Sequence, residues 1–104
     1  MARALQIGES QDGGRYVLSV SGRLDTNTAP QLEAVANRIN LEDGAADIVV
    51  DMKDCSFLSS AGLRVIITMQ KRSTMGGSLR FCNVTPQVME VFSATGFDKI
   101  LTFE

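Results

Sequence analysis

FLSSAGLR, residues 57–64, separates a strand-like apolar run from a helix-like one. The apolar run before it is Ile48 to Val50, and the amphipathic run after it extends from Leu63 to Met69. Two serines therefore lie where a loop enters a helix. Backbone N–H groups at a helix start lack partners and attract negative charge. A hydroxyl at this place can be a helix cap, a nucleophile or a phosphate acceptor.

Composition narrows the possible classes of protein. The chain has 104 residues, of which 44% are hydrophobic and 21% charged, and this fits one globular domain, residues 1–104. The net charge of −2 gives no reason to expect nucleic acid or an anionic membrane as a partner. No apolar stretch approaches the ~20 residues that span a bilayer, and no signal-peptide pattern is present. We therefore expect a cytoplasmic protein.

Residue types that catalyse reactions or bind metals are scarce. Histidine, the commonest general base and nitrogen metal ligand, is absent. Cys55 and Cys82 lack CxxC spacing, which favours reduced thiols over a metal or redox site. The serine pair lacks a GxSxG pattern, and no motif supports Lys53 as an alternative base. We predict no enzyme activity, no catalytic residue, no metal and no cofactor.

Hydrophobic periodicity predicts an α/β fold with the order β-β-α-β-α-β-α-β. The predicted strands lie at residues 3–8, 16–21, 48–50, 79–82 and 100–103, and a turn at 12–14 joins the first two. The predicted helices contain Leu32 to Ile39, Leu63 to Met69 with an end at Gly76-Gly77, and Val88 to Phe92. Strands separated by helices favour a mixed, mostly parallel sheet, with the N-terminal hairpin as its antiparallel edge.

Each helix start carries a capping signal. Thr28-Ala29-Pro30-Gln31 has the pattern of a capping box before the first helix. Ser60 is the predicted N-cap of the second helix, with its Oγ accepting from the N–H of Gly62 or Leu63. Thr85-Pro86 opens the third helix and Gly96 closes it.

Two polar loops, residues 22–27 and 54–60, follow predicted strands and should be neighbours. Partner and ligand sites gather at this edge of parallel sheets. The small residues Ala61 and Gly62 would permit close approach at the helix start. A phosphate on Ser60 would meet the positive end of the helix, with Arg64 one turn further on and Asp25 opposing it.

In this order, these residues resemble the bacterial anti-sigma factor antagonists of the STAS domain family. The resemblance covers nearly the whole chain and rests on SGRLD at 21–25, IVVD at 48–51, residues 57–64 and TGF at 95–97. It implies partner switching. The unphosphorylated protein would bind an anti-sigma factor that is also a serine kinase of the histidine-kinase-like ATPase fold, and so free the sigma factor. The kinase would phosphorylate one serine, and a metal-dependent serine phosphatase would reverse this.

Carried over to this chain, the resemblance implies phosphorylation at Ser60. Ser59 is the alternative, because it occupies a position where the family often has an aspartate. The implied partner-binding surface consists of Asp25, Thr26, Asn27, Ser59, Ser60, Ala61, Gly62 and Arg64. The exposed face of the second helix would extend it through Thr68, Lys71, Arg72 and Met75, which recur at helical spacing with Arg64.

Two other function classes stay open from the sequence. A STAS domain can serve as a scaffold or as a subunit of a lipid-transport or stress-signalling assembly, without sigma-factor output. A small serine hydrolase is a third possibility, which the absence of histidine disfavours. The intact SSAG motif and the single-domain length favour the phosphorylation switch.

Overall fold

The computed structural model describes residues 5–39, 47–73 and 78–104. The elements in chain order are β1 Gln6–Asp12, β2 Arg15–Leu24, α1 Ala29–Ile39, β3 Asp47–Leu58, α2 Ser60–Ser73, β4 Ser78–Cys82, α3 Pro86–Thr95 and a 3₁₀ helix, Phe97–Lys99. The sheet order is β1-β2-β3-β4, with β1 antiparallel to β2 and the other pairs parallel. The predicted α/β fold and its antiparallel edge are confirmed.

The N-terminal hairpin turns at two glycines. Gly13 and Gly14 have φ values of 58° and 89°, a backbone region in which a side chain is strained. The turn is where the sequence predicts it. The first strand lies later than predicted, at Gln6–Asp12, and residues 3 and 4 of the predicted strand lie outside the described residues.

The core forms where one face of the sheet meets α1, α2 and α3. Leu18, Val50 and Phe81 lie in one row across β2, β3 and β4, and each is at most 1% exposed. Leu32, Ile66 and Phe92 bring one buried side chain from each helix into the same cluster. Burial of such a side chain contributes about 1.5–3 kcal/mol. Ile48, Val49 and Val50 are all buried, and the strand predicted for these residues is confirmed as part of β3.

The parallel pairing of β2 with β3 brings two chain segments to the same edge of the sheet. The pairing continues to Leu24 and Leu58, so both strands extend further than predicted. Residues 54–58 and 22–24 are therefore strand and not loop. The reason is that backbone pairing continues past a register shift between Gly22 and Arg23, where Ser56 Oγ also donates to the carbonyl oxygen of Gly22 at 3.2 Å. The expectation that the two segments are neighbours is confirmed.

The third helix has the predicted ends. Thr85 Oγ1 accepts from the N–H of Val88 at 3.4 Å, Pro86 opens the helix, and Gly96 closes it with φ 79°. The end predicted for α2 at Gly76-Gly77 lies outside the described residues, and the described helix ends at Ser73. Within the described ranges, no helix has the length and apolarity needed to cross a membrane.

The last predicted strand, residues 100–103, is wrong as a strand. The N–H of Ile100 donates to Phe97 in the 3₁₀ turn, and the Ile100 side chain is 55% exposed. Only Phe103 pairs with the sheet, through a single parallel bridge to Phe81. Residues 100–103 therefore form a single bridge to β4 in place of the predicted strand.

The start of α2 lies very close to the end of β2. A Cβ atom placed on Gly62 would lie 2.6 Å from Leu24 Cγ, 2.8 Å from the Leu24 carbonyl oxygen and 2.9 Å from Leu58 Cδ1. The backbone oxygen cannot move aside without breaking the end of the strand. Gly62 therefore sets how closely α2 approaches the sheet.

We expect Gly62→Ala to lower the free energy of unfolding by about 1–3 kcal/mol, because the added methyl group overpacks this contact. Urea unfolding would measure the change. Gly8→Ala is the matched control, because its Cβ would meet only Ser19 Cβ at an ordinary 3.7 Å. Equal effects of the two substitutions would show that the close approach at Gly62 has no energetic weight.

Candidate functional site

Ser59 joins the end of β2 to the start of α2. The Leu24 carbonyl oxygen accepts from the Ser59 N–H at 2.9 Å and from its Oγ at 3.2 Å. Ser59 Oγ in turn accepts from the N–H of Gly62 at 3.3 Å, while its carbonyl oxygen accepts from the Leu63 N–H at 2.9 Å. Ser59 is therefore the N-cap. The prediction that Ser60 caps the helix is wrong by one residue, because Leu24 fixes Ser59 at the boundary.

Ser60 is the first residue of α2, and its side chain is exposed. Its hydroxyl makes no hydrogen bond to any residue of the described ranges. Ala61 beside it is half-buried and Gly62 is buried. The two serines thus differ physically, since one hydroxyl is used by the fold and the other faces solvent.

Asp25 shapes the neighbouring turn between β2 and α1. Its Oδ1 accepts from the N–H groups of Asn27 at 3.0 Å and Thr28 at 3.1 Å. Thr28 Oγ1 accepts from the Asp25 N–H at 2.8 Å and donates to the Arg23 carbonyl oxygen at 2.6 Å. Thr26 and Asn27 are therefore exposed at the tip of the turn. The Asp25 carboxylate is held by hydrogen bonds within the same turn.

The predicted capping box of α1 is wrong. The N–H of Gln31 donates to the carbonyl oxygen of Thr28 at 2.9 Å, and the Thr28 hydroxyl faces the Asp25 turn instead. Aspartate two residues before a backbone N–H readily forms such a local turn, and this bonding competes with the box.

The same contacts set the charge of Asp25. Burial raises the pKa of its carboxyl group, but hydrogen bonds from Thr28 and Asn27 and the Arg23 charge outweigh burial and leave the pKa below its ordinary value. The Arg23 Nε lies 3.7 Å from Asp25 Oδ2. The carboxylate is thus held as an anion on the residue that follows Leu24, whose carbonyl oxygen bonds Ser59.

Arg23 and Phe57 form a further exposed contact, which the sequence analysis did not place in the site. The Arg23 guanidinium carbon lies 4.2 Å from the centre of the Phe57 ring, and Phe57 is 38% exposed. Arg23 and Phe57 are paired residues of β2 and β3. A sequence prediction that extended both strands to Leu24 and Leu58 would have placed them side by side.

An open groove of about 290 Å³ runs along α2 from the serine pair. It is lined by Ser60, Leu63, Arg64, Ile67, Thr68, Lys71 and Phe97. Arg72 belongs to another side of the helix, since its Nη1 donates to Asn37 Oδ1 of α1 at 2.6 Å. Met75 lies outside the described residues. Phe97 was not predicted here, although an apolar residue just after a helix-closing glycine often packs back on a helix.

The two cysteines have no geometry for metal binding. Burial raises the pKa of the Cys55 thiol, which donates to the Phe57 carbonyl oxygen. The pKa of Cys82 is also raised, first by burial and then by the Asp51 and Glu104 charges. Among the described residues, no group of three or more His, Cys, Asp or Glu side chains could hold a metal ion.

We expect Ser59→Ala to lower the free energy of unfolding by about 1 kcal/mol, because the Gly62 N–H loses its cap. Ser59→Asp should retain most of the stability. A carboxylate can accept the hydrogen bond from the Gly62 N–H at the positive end of the helix, and although it cannot donate to Leu24, the Leu24 carbonyl oxygen keeps the backbone N–H of residue 59. Ser60→Ala should remain within about 0.5 kcal/mol of the wild type. Chemical denaturation measures all three, and a larger loss in Ser60→Ala than in Ser59→Ala would refute the assignment of the cap.

The lowered pKa of Asp25 predicts a pH dependence of stability. Its contribution is complete above the unfolded-state value of about 3.9 and is lost as pH falls through the lower folded-state pKa. The wild type should therefore be more stable than Asp25→Asn at pH 6, and this advantage should shrink toward pH 3. Urea midpoints at four pH values test it, and a constant difference would contradict it.

The chain is similar in sequence to known proteins. Residues 8–104 match the model of the STAS domain. BtrV of Bordetella bronchiseptica, whose assigned name is anti-sigma factor antagonist, is 33% identical over 85 residues, which are 81% of this chain and 72% of that protein.

Solved structures show the same fold. An anti-sigma factor antagonist from Mycobacterium paratuberculosis superposes with a TM-score of 0.85 at 24% identity, covering 96% of this chain and 85% of that one. The phosphorylated form of the Bacillus cell fate determinant SpoIIAA has a TM-score of 0.70 at 20% identity, covering 97% and 91%. The resemblance found in the sequence is confirmed, and the chain belongs to the STAS domain family.

Proposed function

We propose that this protein is an anti-sigma factor antagonist that switches partners through phosphorylation of Ser60. The unphosphorylated form binds an anti-sigma factor, which is also a serine kinase of the histidine-kinase-like ATPase fold, and so frees a sigma factor. Phosphorylation ends the binding, and a metal-dependent serine phosphatase restores it. The protein acts as a regulator in the cytoplasm and not as an enzyme.

The observation that carries the proposal is that the fold uses the hydroxyl of Ser59 but not that of Ser60. Ser59 Oγ is bonded on both sides, to Leu24 and to Gly62. Ser60 is exposed at the first position of α2, and no described residue bonds its hydroxyl. A kinase can therefore phosphorylate the Ser60 hydroxyl without breaking a hydrogen bond of the fold. The same reaction at Ser59 would remove the helix cap.

The proposed partner surface surrounds Ser60 on two sides. One side is the turn that exposes Thr26 and Asn27. The other is the groove along α2, with the apolar residues Leu63 and Ile67 and the cation Arg64. In this proposal Asp25 and Gly62 act mainly by position, because the first shapes the turn and the second lets the helix approach the sheet.

Phosphorylation would act through charge at the edge of this surface. It adds nearly two negative charges and three acceptor oxygens to an exposed hydroxyl. The positive end of α2 accommodates them, so the helix is not disrupted. A partner surface shaped to cover a neutral serine would then have to desolvate a dianion, which lowers its affinity.

The decisive experiment is incubation with ATP and a kinase of the histidine-kinase-like ATPase fold encoded beside the gene for this chain. Intact mass spectrometry should show one added phosphate in the wild type and none in Ser60→Ala. Ser59→Asp is the matched control, because it retains the helix cap and Ser60, and it should still be labelled. Labelling of Ser60→Ala at the wild-type level would refute the site.

A binding titration completes the test. The unphosphorylated protein should bind the same kinase at least tenfold more tightly than the phosphorylated protein, a difference of about 1.4 kcal/mol. Equal affinities would refute the switch. Recovery of a transporter ATPase without any kinase in a pull-down would favour the scaffold alternative.

A further inference from the structure

Arg64 differs from the other arginines of the described ranges. Each of the others has a partner: Arg15 and Arg80 pair with Glu104, Arg23 with Asp25, Arg38 with Glu9, and Arg72 donates to Asn37. Within those same ranges Arg64 has no ion pair or side-chain hydrogen bond, and its side chain is exposed. A long cation that the fold does not use is available to a group that is added later.

The position of Arg64 relative to Ser60 is fixed by the helix. The two residues are four apart on α2, so they lie on the same face, about one turn from each other. Helical side chains point back toward the N-terminus, which directs the Arg64 side chain toward Ser60. Both residues line the same groove. Nothing described in the structure occupies the Ser60 hydroxyl or the guanidinium.

We propose that Arg64 is the counter-ion of phosphorylated Ser60, and that its guanidinium folds back onto the phosphate of its own helix. This inference rests on the proposed function. A guanidinium presents a planar set of donors that matches two phosphate oxygens. Phosphorylation would then change two groups of the partner surface at once. It adds a dianion and removes the arginine from the groove.

Other charges surround the pair and define its setting. Lys71 lies further along the same groove, two turns beyond Arg64. Asp25 on the neighbouring turn carries the opposing charge and is already paired with Arg23. Arg64 is therefore the cation of α2 that lies one turn from Ser60, and a single substitution isolates it.

The test measures the second ionisation of the phosphate directly. Phosphoserine is installed at position 60 during translation by genetic code expansion, so no kinase is needed. The pKa of the phosphate is then followed by phosphorus NMR between pH 4 and 8. An adjacent cation stabilises the dianion, so Arg64→Gln should raise this pKa by about half a unit from the wild-type protein. High salt should reduce the difference, because the pair is exposed.

Two further variants decide what the shift means. Lys53→Gln removes one exposed positive charge from β3, outside the groove that Ser60 and Arg64 line, and should leave the phosphate pKa unchanged. Arg64→Lys should restore part of the effect, since a lysine supplies the charge without the planar donors. An unchanged pKa in Arg64→Gln, or equal shifts in Arg64→Gln and Lys53→Gln, would overturn the pairing.

The outcome is separable from the proposed function. If a kinase labels Ser60 but Arg64→Gln leaves the pKa unchanged, the counter-ion assignment fails and the switch stands. If no kinase labels Ser60, the switch fails whatever the NMR titration of the installed phosphoserine shows.

Discussion

The carbonyl oxygen of Leu24 is the contact on which the site depends. It ends β2, accepts two hydrogen bonds from Ser59, and lies against Gly62 at the start of α2. The parallel pairing of β2 with β3 brings it there, because Leu24 and Leu58 are the last paired residues of the two strands. One acceptor thus fixes where the strand ends, where the helix begins, and which serine faces solvent.

This arrangement accounts for the serine at position 59, where the family resemblance noted in the sequence implies that an aspartate is common. The position is an N-cap, and serine and aspartate are both good acceptors for a helix N–H. The requirement there is an acceptor for the Gly62 N–H, and a negative charge is optional. The residue that precedes Ser60 is thus constrained by helix geometry.

Sequence patterns predicted best where a single physical cause dominates. The apolar run Ile48 to Val50 predicts a strand, and Thr85-Pro86 with Gly96 marks both ends of a helix. Prediction was wrong where the local sequence allows two structures and contacts elsewhere in the fold select one of them. Ser59 and Ser60 are equal as capping residues, and the choice comes from Leu24, which is 35 residues away in the chain. Thr28 likewise bonds within the Asp25 turn and does not form the predicted capping box. Ile100 bonds within the 3₁₀ turn and does not join the predicted strand.

The close contact at Gly62 has a consequence for how long a signal can last. The helix start is held by backbone atoms that a modification of Ser60 does not touch. In the proposed switch these contacts, and with them the packing of α2 on the sheet, would be the same before and after phosphorylation. The signal of this proposed switch would therefore be stored in one phosphoester bond, and it would last only as long as that bond.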